Sequence, residues 1–243
     1  MTEKVNLDDI NYIQYGNDKG KDIILLHGWG QNIEMMQPLG NLLADNYHIT
    51  IIDLPGFGKS KEPEVALSVM DYTNTIHRLV EKLNIKKPTL IGHSFGGRIS
   101  ICYGATYEVE KLVLCGSPCV RTKKGLTFKE KILKTAKKLP GMEKVADIAK
   151  NYIGSTDYKN ASPMMREILV KTVNEDLSDY ARKIKVPVIL IWGEYDEAAP
   201  IEEGRMLEGL LQDGAMIVLP GTHYAYLENL YQVGSIINKF MEE

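Results

Sequence analysis

The chain has 243 residues, 44% of them hydrophobic and 25% charged, with a formal net charge of −3. These values exclude a disordered or fibrous chain and supply enough apolar material for one large core, read here as one domain. Three cysteines, Cys102, Cys115 and Cys119, are too few and odd in number for a disulfide framework, and no second Cys/His pair stands at metal-ligand spacing, so buried thiols and no metal are expected.

The opening MTEKVNLDDINYIQYG lacks the apolar stretch of a secretory leader. No later run approaches the roughly eighteen apolar residues of a bilayer span. The expectation is a cytoplasmic protein with no membrane span.

In chain order, short apolar runs bounded by Gly and Pro predict strands at Ile23–Leu26, Ile49–Ile52, Thr89–Ile91, Leu112–Leu114, Val188–Trp192 and Met216–Leu219. Amphipathic patterns predict helices at roughly 33 to 46, 67 to 84, 95 to 107, 201 to 213 and 225 to 241. The alternation of strand and helix argues a mostly parallel, doubly wound α/β sheet. Between Ser117 and Val186 it fails, leaving polar helical segments such as 128 to 139 and 163 to 173. The expectation is a core of residues 1–117 and 186–243 with an inserted helical cap, residues 118–185, lying over the strand ends where open α/β sheets bind ligands.

Gly92-His93-Ser94-Phe95-Gly96-Gly97 follows a strand and opens a helix, the setting that a G-x-S-x-G nucleophile turn requires. The turn is sharp, and a Cβ two residues to either side of the serine would collide, which Gly92 and Gly96 avoid. A serine hydroxyl is a weak nucleophile until a histidine takes its proton and a carboxylate orients that histidine. Asp196 in Trp192-Gly193-Glu194-Tyr195-Asp196 and His223 in Gly221-Thr222-His223 each follow a predicted strand, in the order Ser, Asp, His. Glu194 and Glu197 are rival acids, but Asp196 has the loop offset that turns a side chain toward the last strand. The predicted catalytic set is Ser94, Asp196 and His223.

His27-Gly28-Trp29-Gly30 also follows a strand, and its glycines allow the backbone to approach a nucleophile, so the Trp29 and Phe95 N–H groups are the expected oxyanion hole. Trp29, Phe95, Met35 and Met36 are candidates for the substrate pocket, although core packing accounts for them equally well. His27 and His93 are read as hydrogen-bonded structural side chains, His48 and His77 as surface residues. Asp53-Leu54-Pro55-Gly56-Phe57-Gly58-Lys59-Ser60 lacks the G-x-x-x-x-G-K-[ST] spacing of a phosphate loop.

With HGWG, DLPGFGKS, GHSFGG, WGEYD and GTH in this order, the chain resembles the α/β-hydrolase superfamily from about residue 23 onward. HGWG followed by DLPGFGKS is similar to the carboxylesterase group that includes pimeloyl-[acyl-carrier protein] methyl ester esterase. The resemblance implies an α/β-hydrolase fold with the cap inserted after the sixth strand, and cofactor-free hydrolysis of small or medium esters through an acyl-enzyme. Serine at position 94 speaks against the dehalogenase and epoxide hydrolase branches, which use aspartate there. Two other readings are weighed: hydrolysis of a carbon–carbon bond in vinylogous diketones, and a slow-turnover receptor that keeps the same triad. Proteins of the first kind resemble an HGxGPG loop, whereas Gly30 here precedes Gln31 and Asn32.

Residues 121–150 hold ten Lys/Arg against three acids. A solvated helix face bearing Lys131, Lys134, Lys137 and Lys138 accounts for this. A docking patch for an acidic carrier protein or an anionic substrate tail is the sharper expectation. No nucleic-acid partner is expected, because the basic residues are not interleaved with stacking aromatics.

Overall fold

The computed structural model describes residues 4–120 and 161–242. The helical segment expected at 128 to 139 and the basic patch at 121–150 lie outside the described residues.

Seven strands form one sheet: β1 (Tyr12–Gly16), β2 (Asp22–Leu26), β3 (His48–Ile52), β4 (Thr89–His93), β5 (Leu112–Cys115), β6 (Val188–Gly193) and β7 (Gly214–Leu219). Their order is β1-β3-β2-β4-β5-β6-β7. Only β1 runs antiparallel, pairing Tyr12 with Ile52 and Gly16 with His48. It is missing from the sequence reading because a half-exposed edge strand of five residues carries no continuous apolar run. The six strands that were expected are all present and all parallel.

Because side chains alternate across a strand, the buried strands feed two cores. Ile24, Leu26, Leu90, Leu112, Leu114, Leu190 and Trp192 face one side. Ile23, Leu25, Ile49, Ile91, Val113, Ile189 and Ile191 face the other. The first side is covered by α2 (Val69–Lys82), α3 (Phe95–Thr106) and α5 (Ile201–Glu208), the second by α1 (Ile33–Leu43) and α6 (Leu230–Glu242). Helix α2 starts at a reciprocal capping box in which Ser68 and Asp71 satisfy each other's end of the backbone. The long helix expected at 225 to 241 is interrupted at Asn229, leaving a helical turn at Ala225–Glu228 before α6.

The segment expected as an insertion after the sixth strand follows the fifth, β5, the count being the edge strand plus four parallel ones. Its described part, from residue 161, contains α4 (Pro163–Val173) and a helical turn at Ser178–Ala181. Ser162 caps α4 by accepting from the Met165 N–H. Met165, Ile168, Leu177 and Ala181 join the first core. Among the described residues no helix is long and apolar enough to cross a membrane.

Candidate active site

The sharpest backbone feature lies at the carboxyl end of β4. Ser94 sits at φ +49°, ψ −108°, between the last strand residue and the first residue of α3. A non-glycine residue there costs on the order of 1–3 kcal/mol, which the surroundings must offset. Its N–H donates to the Cys115 carbonyl at 2.9 Å, and its carbonyl accepts from Arg98 N–H at 3.1 Å. The glycines leave no alternative: a Cβ on Gly92 would lie 2.6 Å from Gly97 Cα, and one on Gly96 would collide with the Leu26 carbonyl. The Ser94 side chain is thereby presented, half-buried, at the strand end.

At the ends of β6 and β7 the structure brings Asp196 and His223 together, with His223 Nδ1 2.8 Å from Asp196 Oδ2. A carboxylate only accepts, so Nδ1 carries the hydrogen and Nε2 presents its lone pair. Oδ1 of the same carboxylate accepts from the N–H groups of Ala198 and Ala199 at 2.9 and 2.8 Å. The Asp196 side chain is fully buried, while Glu194 and Glu197 are exposed. Gly116, at φ +52° one residue after the carbonyl that holds Ser94, marks how near the pair lies. A Cβ there would come within 3.1 Å of His223 Nδ1 and 3.2 Å of Asp196 Oδ2.

His93 and His27 knit the surrounding loops. His93 lies 3.0 Å from the His223 carbonyl through Nε2 and 3.1 Å from Gln31 Oε1 through Nδ1, with its ring against Tyr226. His27 Nε2 accepts from Leu54 N–H at 3.0 Å, so its Nδ1 is the donor to the Gly28 carbonyl at 2.7 Å. Both are hydrogen-bonded structural side chains, as their sequence positions suggested. Burial, the dominant cause in each, pushes the His27 pKa down to about 4 and that of His93 to about 3.

The unfolded chain, with histidine near its ordinary value, therefore takes up protons below about pH 6.5 that the folded chain refuses. The stability that these neutral rings contribute is complete above that pH and is lost as pH falls toward 4. Urea unfolding midpoints are expected to drop between about pH 7 and pH 4.5, and less steeply in His27→Gln and His93→Gln. A pH slope identical in wild type and both variants would contradict this assignment.

Asp53 is a site residue that the sequence reading passed over. It is 2% exposed. Its carboxylate accepts from Ile33 N–H at the start of α1, from Asn11 Nδ2 and from Lys59 N–H, at 2.8, 2.7 and 2.8 Å. It thus fixes the Asp53–Ser60 loop against the loop that carries Trp29. Gln31 does similar work, accepting from Gly28 N–H at 2.9 Å. An acid directly after an apolar strand and before a Gly-rich loop was the available signal.

Trp29 stands edge-on to Phe57 at 4.9 Å and to Phe95 at 5.3 Å between ring centres. A cavity of about 350 Å³ opens beside it, lined by Trp29, Gly30, Phe57, Glu62, Ser162 and Met165 among others. Of the four pocket candidates, only Trp29 lines this cavity. Phe95 is buried behind it against Tyr72. Met36 is fully buried in the opposite core, because the i, i+3 spacing of Ile33, Met36 and Leu39 turns that side of α1 to the sheet. Met35 offers its backbone carbonyl to the Tyr226 hydroxyl at 3.1 Å. Cys102, Cys115 and Cys119 are free and buried, their thiols pushed up to about 12 by burial. No group of three or more His, Cys, Asp or Glu among the described residues could hold a metal.

A seven-stranded, mostly parallel sheet with a strained serine at one strand end and an Asp–His pair at two others defines a class, and the sequence comparison agrees. Residues 22–143, half of the chain, match the profile described as "alpha/beta hydrolase fold", and the chain belongs to that family. Among curated relatives, pimeloyl-[acyl-carrier protein] methyl ester esterase of Aliivibrio fischeri (strain MJ11) is 23% identical, covering 85% of this chain and 88% of that protein. Among solved structures, an esterase from Exiguobacterium antarcticum superposes with TM-score 0.76 at 20% identity over 96% of both chains. A meta-cleavage product hydrolase from Pseudomonas fluorescens IP01 gives TM-score 0.73 at 19% identity, covering 96% of this chain and 94% of that one. At such identities the structural likeness is one of fold.

Proposed function

We propose that this protein is a serine esterase of small or medium acyl groups, with Ser94 as nucleophile, His223 as general base and Asp196 as the residue that orients it. The carrying observation is the Asp196–His223 hydrogen bond of 2.8 Å beside a serine held at φ +49°. Ser94 Oγ attacks the ester carbonyl while His223 Nε2 removes its proton, forming a tetrahedral intermediate. The N–H groups of Trp29 and Phe95 stabilise the oxyanion, each contributing about 3 to 4 kcal/mol to lowering the barrier. The intermediate collapses, His223 returns the proton to the departing alcohol, and water activated by the same imidazole releases the acid. No cofactor takes part. The cavity beside Trp29 supports acyl binding there, with residues 118–185 as a cap on a core of 1–117 and 186–243.

The reading is tested with p-nitrophenyl esters of increasing acyl length, following burst and steady state. Many turnovers on short or medium esters are expected, with an optimum length set by the cavity. A burst without turnover would favour a receptor-like role. Inactivity on every ester, with cleavage of a vinylogous diketone, would transfer the same residues to carbon–carbon bond hydrolysis.

Carrier docking rests on charge alone, since residues 121–150 lie outside the described residues. If it operates, reversing charge at Lys134, Lys137 and Lys138 lowers kcat/KM for a carrier-linked ester and flattens its salt dependence, while p-nitrophenyl esters are indifferent. An unaltered carrier-linked rate would remove the patch from the mechanism.

A further inference from the structure

Arg98 lies one helical turn after Ser94, on the helix that the nucleophile opens. Its side chain is buried, with 7% exposure. Three backbone carbonyls receive the guanidinium: Nη1 donates to Pro118 at 2.8 Å, and Nη2 to Thr172 at 2.9 Å and Glu175 at 2.6 Å. Nε has no hydrogen-bond partner among the described residues. Burying a cation is costly unless its donors are paired, and an apolar side chain in its place would leave three carbonyls without that donor. What the guanidinium achieves and a methionine cannot is a fixed join of its own helix to two other segments, the exit of β5 and the carboxyl end of α4.

Those segments matter for the site. Pro118 lies where the chain leaves β5, and Thr172 and Glu175 lie at the carboxyl end of α4. The same end is tied three times more, by Leu177 N–H to the Cys119 carbonyl at 3.1 Å, by Lys171 Nζ to the Ala66 carbonyl at 2.9 Å, and by the Glu175 carboxylate, which accepts from Val69 N–H at the start of α2 at 3.1 Å. The opposite end of α4 supplies Ser162 and Met165 to the cavity beside Trp29. The 11-residue helix, about 16 Å long, joins the two ends.

We infer that Arg98 is a positioning residue: by gripping the Thr172 and Glu175 carbonyls it sets α4, and with it the Met165 wall of the acyl cavity, relative to the nucleophile on its own helix. The inference rests on the esterase reading and deepens it, because it makes acyl-length selection depend on a side chain that does not line the cavity. Arg98 acts through α4, and the chemistry at Ser94 proceeds by the same steps without it. Its loss therefore weighs most on substrates long enough to meet Met165.

The test compares wild type, Arg98→Met and Arg98→Lys on p-nitrophenyl acetate, butyrate and hexanoate, with hydrogen exchange of the α4 amides measured in parallel. In Arg98→Met the hexanoate-to-acetate ratio of kcat/KM is expected to fall about tenfold or more, chiefly through KM, with faster exchange in α4; Arg98→Lys should lie between. Equal losses on all three esters, or an unchanged ratio in folded variants, would overturn the proposal. If Arg98→Met fails to fold, the same ratio in Arg98→Lys decides. A wild type inactive on every ester removes the esterase reading instead, and exchange still decides the join: α4 amides exchanging at the wild-type rate in the variants overturn it.

Discussion

Ser94→Ala is expected to lower kcat on any ester that the wild type turns over by roughly 10⁴- to 10⁶-fold, with little change in KM. The loss is this large because the hydroxyl is the only group that forms the covalent intermediate, whereas the cavity and the backbone donors that bind substrate remain. The variant should fold normally. The Ser94 backbone is held by Cys115 O and Arg98 N rather than through its side chain, and alanine carries the same Cβ. Ser94→Gly offers a control on strain, since glycine adopts φ +49° without a Cβ penalty and should melt no lower than the alanine variant. Steady-state kinetics and thermal melting on the three proteins check both statements. Retention of more than about a tenth of wild-type kcat in Ser94→Ala would end the serine-nucleophile reading.

Asp196→Asn is expected to reduce kcat by about 10⁴-fold, whereas Glu194→Gln and Glu197→Gln should each stay within a few-fold of wild type. Asp196 Oδ2 holds the Nδ1 hydrogen of His223, which leaves Nε2 free to accept the serine proton. An asparagine presenting its amide hydrogens there would favour the opposite tautomer, with the lone pair facing away from Ser94. The carboxylate is also locked from behind by the Ala198 and Ala199 N–H groups, so no nearby acid can swing into its place. Both glutamates are exposed, and a solvated carboxylate confers little orientation. Stopped-flow turnover of a single ester by the three variants separates these roles. Comparable losses in Glu194→Gln and Asp196→Asn would point to a shared or shifted acid.

Much of this site was legible in the chain because the features that mark it are local. Gly92 and Gly96 around Ser94 announce a turn that only glycine neighbours tolerate, and the acid and histidine follow apolar runs that cannot be anything but buried strands. Features defined by a distant partner were at most hinted at. Asp53 acquires its role from Asn11 and Ile33, and Arg98 from carbonyls 74 and 77 residues away. A buried arginine and a surface arginine look alike in sequence, since neither declares what covers it. Met36 was a pocket candidate that core packing explained equally well, and the helical period assigns it to the sheet.

By itself the sequence determined the layered α/β class, six of the seven strands, and the chemical types at each strand end, because strand burial and turn sterics are enforced within a few residues. The tertiary structure alone decided that Trp29 rather than Phe95 or Met36 walls the cavity, that Asp53 ties its loop to the start of α1, and that α4 is joined to α3 through Arg98. Those outcomes depend on packing between segments distant in sequence, Arg98 meeting carbonyls 74 and 77 residues away and Trp29 sharing a cavity with Met165, and no local pattern encodes that approach.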